Sequence, residues 1–207
     1  MSAWIGSGRP HRHTAKVRSR GELAGSRWPR PQYRFELVPA LPCDALSTVL
    51  SDATIAAFTV DDLAELVVLQ RCCWVQEALL NETLDIPALR ETHEEVLTWA
   101  TTWTTLVVRQ RGRLVAAVRG RSEGTDWQVG RLMVAPDLAG RGIGSHLLRL
   151  VEGFAPPHVE QFVLFTGARS ERNIRMYQKA GYRLAPVSVP TPPGHINGAV
   201  YLAKPRT

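Results

Sequence analysis

Residues 129–154, VGRLMVAPDLAGRGIGSHLLRLVEGF, constrain this chain more than any other stretch. An apolar strand at 129–134 breaks at Ala135-Pro136-Asp137 and runs into a loop, Gly140-Arg141-Gly142-Ile143-Gly144. A helix follows, with Leu147, Leu148, Val151 and Phe154 at apolar spacing. Strand, glycine loop and helix in succession make a cradle for an anion. The loop's N–H groups converge, and the helix N-terminus adds partial positive charge. Glycine suits such a loop because a Cβ would block a phosphate or forbid the backbone angles.

Two common phosphate loops are excluded. A dinucleotide fingerprint wants Gly-x-Gly-x-x-Gly, but Ser145, His146 and Leu147 follow Gly144. A Walker A loop wants a lysine, and none is present here. Instead, Leu132-Met133-Val134-Ala135-Pro136 followed by Ala139-Gly140-Arg141-Gly142-Ile143-Gly144 resembles motif A of the GNAT superfamily of N-acetyltransferases. That motif reads Gln/Arg-x-x-Gly-x-Gly/Ala after a strand ending in a Val-x-Pro phrase. The one departure is Ala139, at the Gln/Arg position.

A second phrase, SERNIRMYQKAGY at 170–182, resembles motif B of the same superfamily, with Tyr177, Lys179, Gly181 and Tyr182 in register. Ser170 stands where the family often has Asn, and Asn173 lies one turn before Tyr177 on the same helix face. Taken alone, Tyr177 reads as an ordinary core tyrosine. The closing AVYLAKP is similar to the family's last strand, so the resemblance covers roughly residues 53–206.

The resemblance implies an α/β fold with a mixed, mostly antiparallel sheet. A central parallel strand pair splays apart, and helices flank it. It further implies acetyl-CoA as co-substrate, with no metal, and a primary amine as acceptor, whether a small molecule, a protein N-terminus or a lysine. The amine attacks the thioester directly in a ternary complex. Backbone groups at Leu132, Met133 and Val134 would hold the pantetheine arm and support the oxyanion. The amides of Gly140, Arg141, Gly142, Ile143, Gly144 and Ser145 would take the pyrophosphate, Ser170 and Asn173 would help hold the cofactor, and Tyr177 would protonate the leaving thiolate.

The general base is open. Glu123 and Asp126, just ahead of the motif A strand, are the candidates put first. Glu77 and Glu82 in the connection 77–86, a water relay, and more weakly His146 and His195 also compete. Two other function classes stand beside the enzyme. One is a non-catalytic acyl-CoA-binding regulatory module, which the missing Gln/Arg at Ala139 would suit. The other is a nucleic-acid binder using the N-terminal stretch, and nucleic acid is not the expected partner.

The net charge of +6 is unevenly spread. Residues 1–34 carry eight lysines and arginines against Glu22, so the rest of the chain is near −1. This Arg-, Gly-, Ser- and Pro-rich stretch has too few apolar residues to offset its ordering entropy and is expected to be disordered. Residues 35–52 read as transitional, with a short strand at 35–38 and a helical turn at 44–50. The acetyltransferase domain is expected over 53–207. No apolar run nears the ~18 residues a membrane helix needs, and the N-terminus lacks the apolar core of a secretory leader. Three cysteines, Cys43, Cys72 and Cys73, lack metal-site spacing, which points to a reducing compartment and a cytoplasmic protein. A homodimer is left open.

Within the domain the pattern predicts a strand at 54–58, a helix through Trp74, and a second helix from Asp85 with Pro87 in its first turn. A meander follows, with strands at 104–109, 114–119 and 127–134 and a turn at 121–126. A parallel strand is expected at 161–166, a helix at 171–180 capped by Ser170, and closing strands at 182–188 and 199–202.

Overall fold

The computed structural model describes residues 44–186 and 198–206. The basic N-terminal stretch, the strand expected at 35–38, Cys43 and His195 lie outside the described residues.

Chain order begins with a short helix α1 (Asp44–Ser47), strand β1 (Ala53–Ala57) and helix α2 (Leu63–Leu80). Thr59 and Asp62 form a reciprocal capping box in the 3₁₀ turn ahead of α2, satisfying amides that no helical carbonyl can reach. Helix α2 runs a turn and a half beyond Trp74, so Glu77 sits on a helix rather than in a connection. The second expected helix is two pieces, α3 (Pro87–Arg90) and α4 (His93–Thr102). The break has a local cause: Thr92 caps α4, its Oγ1 accepting from the Glu95 N–H at 3.2 Å.

Strands β2 (Thr104–Gln110), β3 (Arg113–Glu123) and β4 (Asp126–Val134) form the meander. Strand β3 continues to Glu123, through most of the turn expected at 121–126. Helix α5 (Ile143–Glu152), strand β5 (Gln161–Gly167), helix α6 (Glu171–Lys179) and strands β6 (Arg183–Leu184) and β7 (Ala199–Pro205) complete the order. Among the described residues β6 is shorter than expected and β7 longer.

The seven strands line up as β1-β2-β3-β4-β5-β7-β6. Every pairing is antiparallel except β4 with β5, the parallel partners of the crossover through α5. This is the mixed sheet expected from the sequence. One core unites the faces: Leu66 and Val67 of α2, Val96 and Trp99 of α4, Leu147, Leu148 and Val151 of α5, and Tyr177 of α6. Leu46 and Leu50, from the segment read as transitional, are buried in that same core. Tyr182 is also interior, and its hydroxyl donates to Glu152 Oε1 at 2.8 Å, tying the end of α5 to the strand that follows α6.

Two irregularities position the site. Opposite β3, the register of β4 slips between Ala117 and Arg119, with Met133 facing Ala117 and Gly130 facing Arg119. Arg131, in this bulge, takes φ 47°, a left-handed conformation that few non-glycine residues adopt. The bulge bends β4. Its parallel pairing with β5 therefore covers only Asp126–Gln161, Trp127–Phe162 and Gln128–Val163. Beyond Gln128 the two strands part.

Candidate active site

The parted strands open onto a cavity of about 870 Å³. Its walls include Val129 to Leu132 of β4, Val163 to Gly167 of β5, the loop glycines Gly140, Gly142 and Gly144, and Ser170, Asn173 and Tyr177 of α6. The glycine loop, the strand gap and the tyrosine thus share one space.

At the loop, Gly140 and Gly142 have φ of +91° and +83°, which a Cβ would oppose. Gly142 is the N-cap of α5, so the first amides of that helix, which lack intrahelical acceptors, lie at the cavity. Ser145 lines the cavity too, but its N–H is turned back to the Gly142 carbonyl at 3.1 Å. Helix α6 closes over the loop through residues one turn apart. A Cβ at Gly140 would lie 3.0 Å from Arg172 Nη2, and one at Gly144 would lie 3.1 Å from Met176 Sδ. Arg172 is therefore the cation beside the loop. Arg141 is exposed and does not line the cavity.

Along β4, Leu132 and Val134 line the cavity, whereas Met133 points into the core and is 1% exposed. The Val134 carbonyl accepts from the Cys73 thiol at 3.3 Å. Burial first, opposed by that bond, pushes the Cys73 thiol up to about 12, so it stays protonated.

On α6, Ser170 occupies the N-cap position, but its hydroxyl makes no capping bond. It donates to Glu77 Oε2 instead, and Asn173 Nδ2 donates to Glu77 Oε1 at 2.8 Å. Asn81 Nδ2 reaches the Ser170 hydroxyl at 3.2 Å. Asn81 also packs where a Cβ at Gly167 would sit, 2.5 Å from its Oδ1, which leaves glycine as the residue that fits. Tyr177 is buried, and burial with the nearby Glu77 charge holds its phenol well above the usual tyrosine range.

The candidate bases separate clearly. Glu123 and Asp126 face each other at the β3–β4 turn and do not line the cavity. Glu123 accepts from Arg121 at 3.0 Å, and Asp126 from Gln161 Nε2 at 2.8 Å. Glu82 pairs with Arg169, and His146 contacts Arg149 at 3.0 Å. Glu77 is the one carboxylate of those weighed from sequence that lines the cavity. No group of metal-ligating side chains occurs among the described residues, nor is any described helix long and apolar enough to cross a membrane.

The other end of the cavity was not legible as a site. Trp74, Trp99 and Trp103 line it with Arg119, Arg121, Arg131 and Glu91. Arg131 pairs with Glu91, whose Oε2 also accepts from Gln70 at 2.8 Å and from the Trp99 indole at 3.1 Å.

A family model described as "Acetyltransferase (GNAT) family" matches residues 65–182. The chain belongs to the GNAT acetyltransferase family. Among solved structures, an acetyltransferase from Streptococcus agalactiae is similar with TM-score 0.62 and 15% identity, over 76% of this chain and 100% of that one. The PaiA N-acetyltransferase of Thermoplasma acidophilum, solved in complex with coenzyme A, has TM-score 0.60 and 13% identity, over 74% of this chain and 99% of that one. At such identities the likeness is one of fold. No curated protein sequence matches the chain. Family membership supports acyl transfer as the general chemistry of the chain.

Proposed function

We propose that this GNAT protein transfers an acetyl group from acetyl-CoA to a primary amine by direct attack in a ternary complex. The observation that carries the reading is the single cavity lined both by the glycine loop and by Tyr177. Its volume of about 870 Å³ lies in the range of small-molecule sites, roughly 300–1,000 Å³.

The residues fit the co-substrate. Left-handed Gly140 and Gly142 leave their amide faces clear for a diphosphate, the N-terminus of α5 favours its charge, and Arg172 adds a cation. The gap between β4 and β5 offers unpaired strand edges to an extended amide-bearing arm. Acetyl-CoA supplies the thioester acetyl group.

The chain's own residues then divide three tasks. A backbone amide at Leu132–Val134 steadies the negative charge that develops on the carbonyl oxygen. Glu77 takes the amine proton. Its two oxygens each accept one bond, from Ser170 and Asn173, and a carboxylate has lone pairs to spare. Tyr177, held protonated, gives its proton to the departing thiolate. The acetyl group passes from sulfur to nitrogen, the amine loses one proton, and the thiolate gains one. The acceptor class spans small amines, protein lysines and N-termini, and we place the protein in the cytoplasm, where exposed Cys72 stays reduced.

Calorimetry with acetyl-CoA, followed by thiol release in the presence of a panel of amines, tests the proposal. Binding with amine-dependent thiol release supports it. Binding without release from any amine class would instead establish the acyl-CoA-binding module.

A further inference from the structure

Three guanidinium groups gather at the far end of the cavity, and two have carboxylate partners. Arg131 pairs with Glu91, and Arg121 with Glu123. The Arg119 side chain has no ion pair or hydrogen bond among the described residues, and its Nε is buried without a partner. Its guanidinium instead lies against two indoles, 4.4 Å from the Trp99 ring centroid and 4.0 Å from that of Trp103, which also carries Arg121 at 4.5 Å.

Those contacts decide what Arg119 can do. Two aromatic rings lie against the group, attracting the cation but accepting no in-plane hydrogen bond. The Nη N–H donors remain, and they match a planar carboxylate. Gly130 stands directly opposite Arg119 on β4, and a Cβ there would lie 3.2 Å from Arg119 Nε. Glycine therefore lets β4 pack against the buried Nε, and the Nη groups are left as the donors at the cavity. Burial first, then the nearby Arg131, depresses Arg119 to about 9, and the Glu91 charge offsets this only in part.

We infer that the acceptor is a small amine bearing a carboxylate, which the Nη groups of Arg119 receive at the cavity beside Trp99 and Trp103. This rests on the acetyltransferase reading and narrows its acceptor. Gly130 precedes Leu132 by two residues, so the strand rise puts the point opposite Arg119 roughly 7 Å or less along β4 from the region proposed for acyl transfer. An amino acid, with its amine about 3 Å from its carboxylate and a hydrogen bond of about 3 Å beyond, covers such a distance. The carboxylate would add negative charge to the partial compensation from Glu91.

The test measures thiol release with L-amino acids, their C-terminal amides and the corresponding decarboxylated amines, alongside acetyl-CoA calorimetry. At least one acid is expected to exceed its amide about tenfold or more in kcat/KM, the scale of a charge-assisted hydrogen bond. In Arg119→Gln the acid-to-amide ratio falls towards one through KM, with acetyl-CoA affinity retained. Arg119→Lys, which keeps the charge, preserves part of the ratio. A purely structural Arg119 would lower the melting temperature in both variants and leave the ratio unchanged, overturning the inference. Amides used as well as acids, or no acid used by a protein that binds acetyl-CoA, would also overturn it while leaving the acetyltransferase reading standing. Absence of acetyl-CoA binding would remove both.

Discussion

Asn173 Nδ2 donates to Glu77 Oε1 at 2.8 Å across 96 residues of sequence. With the Ser170 hydroxyl on the other oxygen, the bond fastens the last turns of α2 to the first turn of α6, one turn before Tyr177. The carboxylate proposed as base and the phenol proposed as acid are thus held by one network. Glu77→Gln should lower kcat about 10²–10⁴-fold, the usual contribution of a positioned acid or base. Its acetyl-CoA affinity should stay within a few-fold of wild type by calorimetry. An unchanged kcat would return the base to a water relay.

Tyr177→Phe removes the proton donor and keeps the ring that packs in the core. Thiol release should fall by about 10²–10⁴-fold, with melting temperature and acetyl-CoA binding nearly unchanged. Wild-type rates in this variant would make Tyr177 the ordinary core tyrosine its spacing alone suggested.

Gly142→Asp places a side chain and a negative charge in the cradle at φ +83°. Acetyl-CoA binding should be lost by calorimetry. Gly112 provides the control, since it has the same φ of +83° and nothing within 4 Å of a built Cβ. Gly112→Ala should therefore cost about 1–2 kcal/mol in stability and leave binding intact.

Glu91 compensates Arg131 in a pair whose side chains are 17% and 8% exposed. Glu91→Gln leaves that guanidinium buried and uncompensated. The expected loss is about 3–5 kcal/mol, seen as a fall in melting temperature on the order of 10 °C. A melt within 2–3 °C of wild type would mean that water reaches Arg131.

The acid limb of stability should involve Asp62 and Glu65. Burial raises Asp62, but bonds from Arg109 and Thr59 outweigh it, and the Leu114 N–H and then Arg109 lower Glu65. Both carboxyls therefore bind protons more weakly folded than unfolded. Their contribution is complete above the unfolded value near 4 and is lost as pH falls through the folded values. Melts at pH 7 and pH 3 should show a smaller acid loss in Asp62→Asn than in wild type.

Local chemistry explains what the sequence determined by itself. The crossover through α5, the glycine loop and the α6 phrase are each written within some 30 contiguous residues, with periodicity and turn residues that agree. The Thr92-to-Glu95 capping box was equally local, yet apolar spacing continuing past it concealed the break between α3 and α4. Only the tertiary structure decided that Arg131 would bulge and part β4 from β5, that Glu77 rather than Glu123 or Asp126 would reach the cavity, that Arg172 rather than Arg141 would flank the loop, and that Trp99 and Trp103 would lie against Arg119. Each of these depends on packing between separate elements, in the case of Glu77 across nearly a hundred residues. Residue spacing carries no record of such contacts, because they form only when the sheet twists and its helices settle against it.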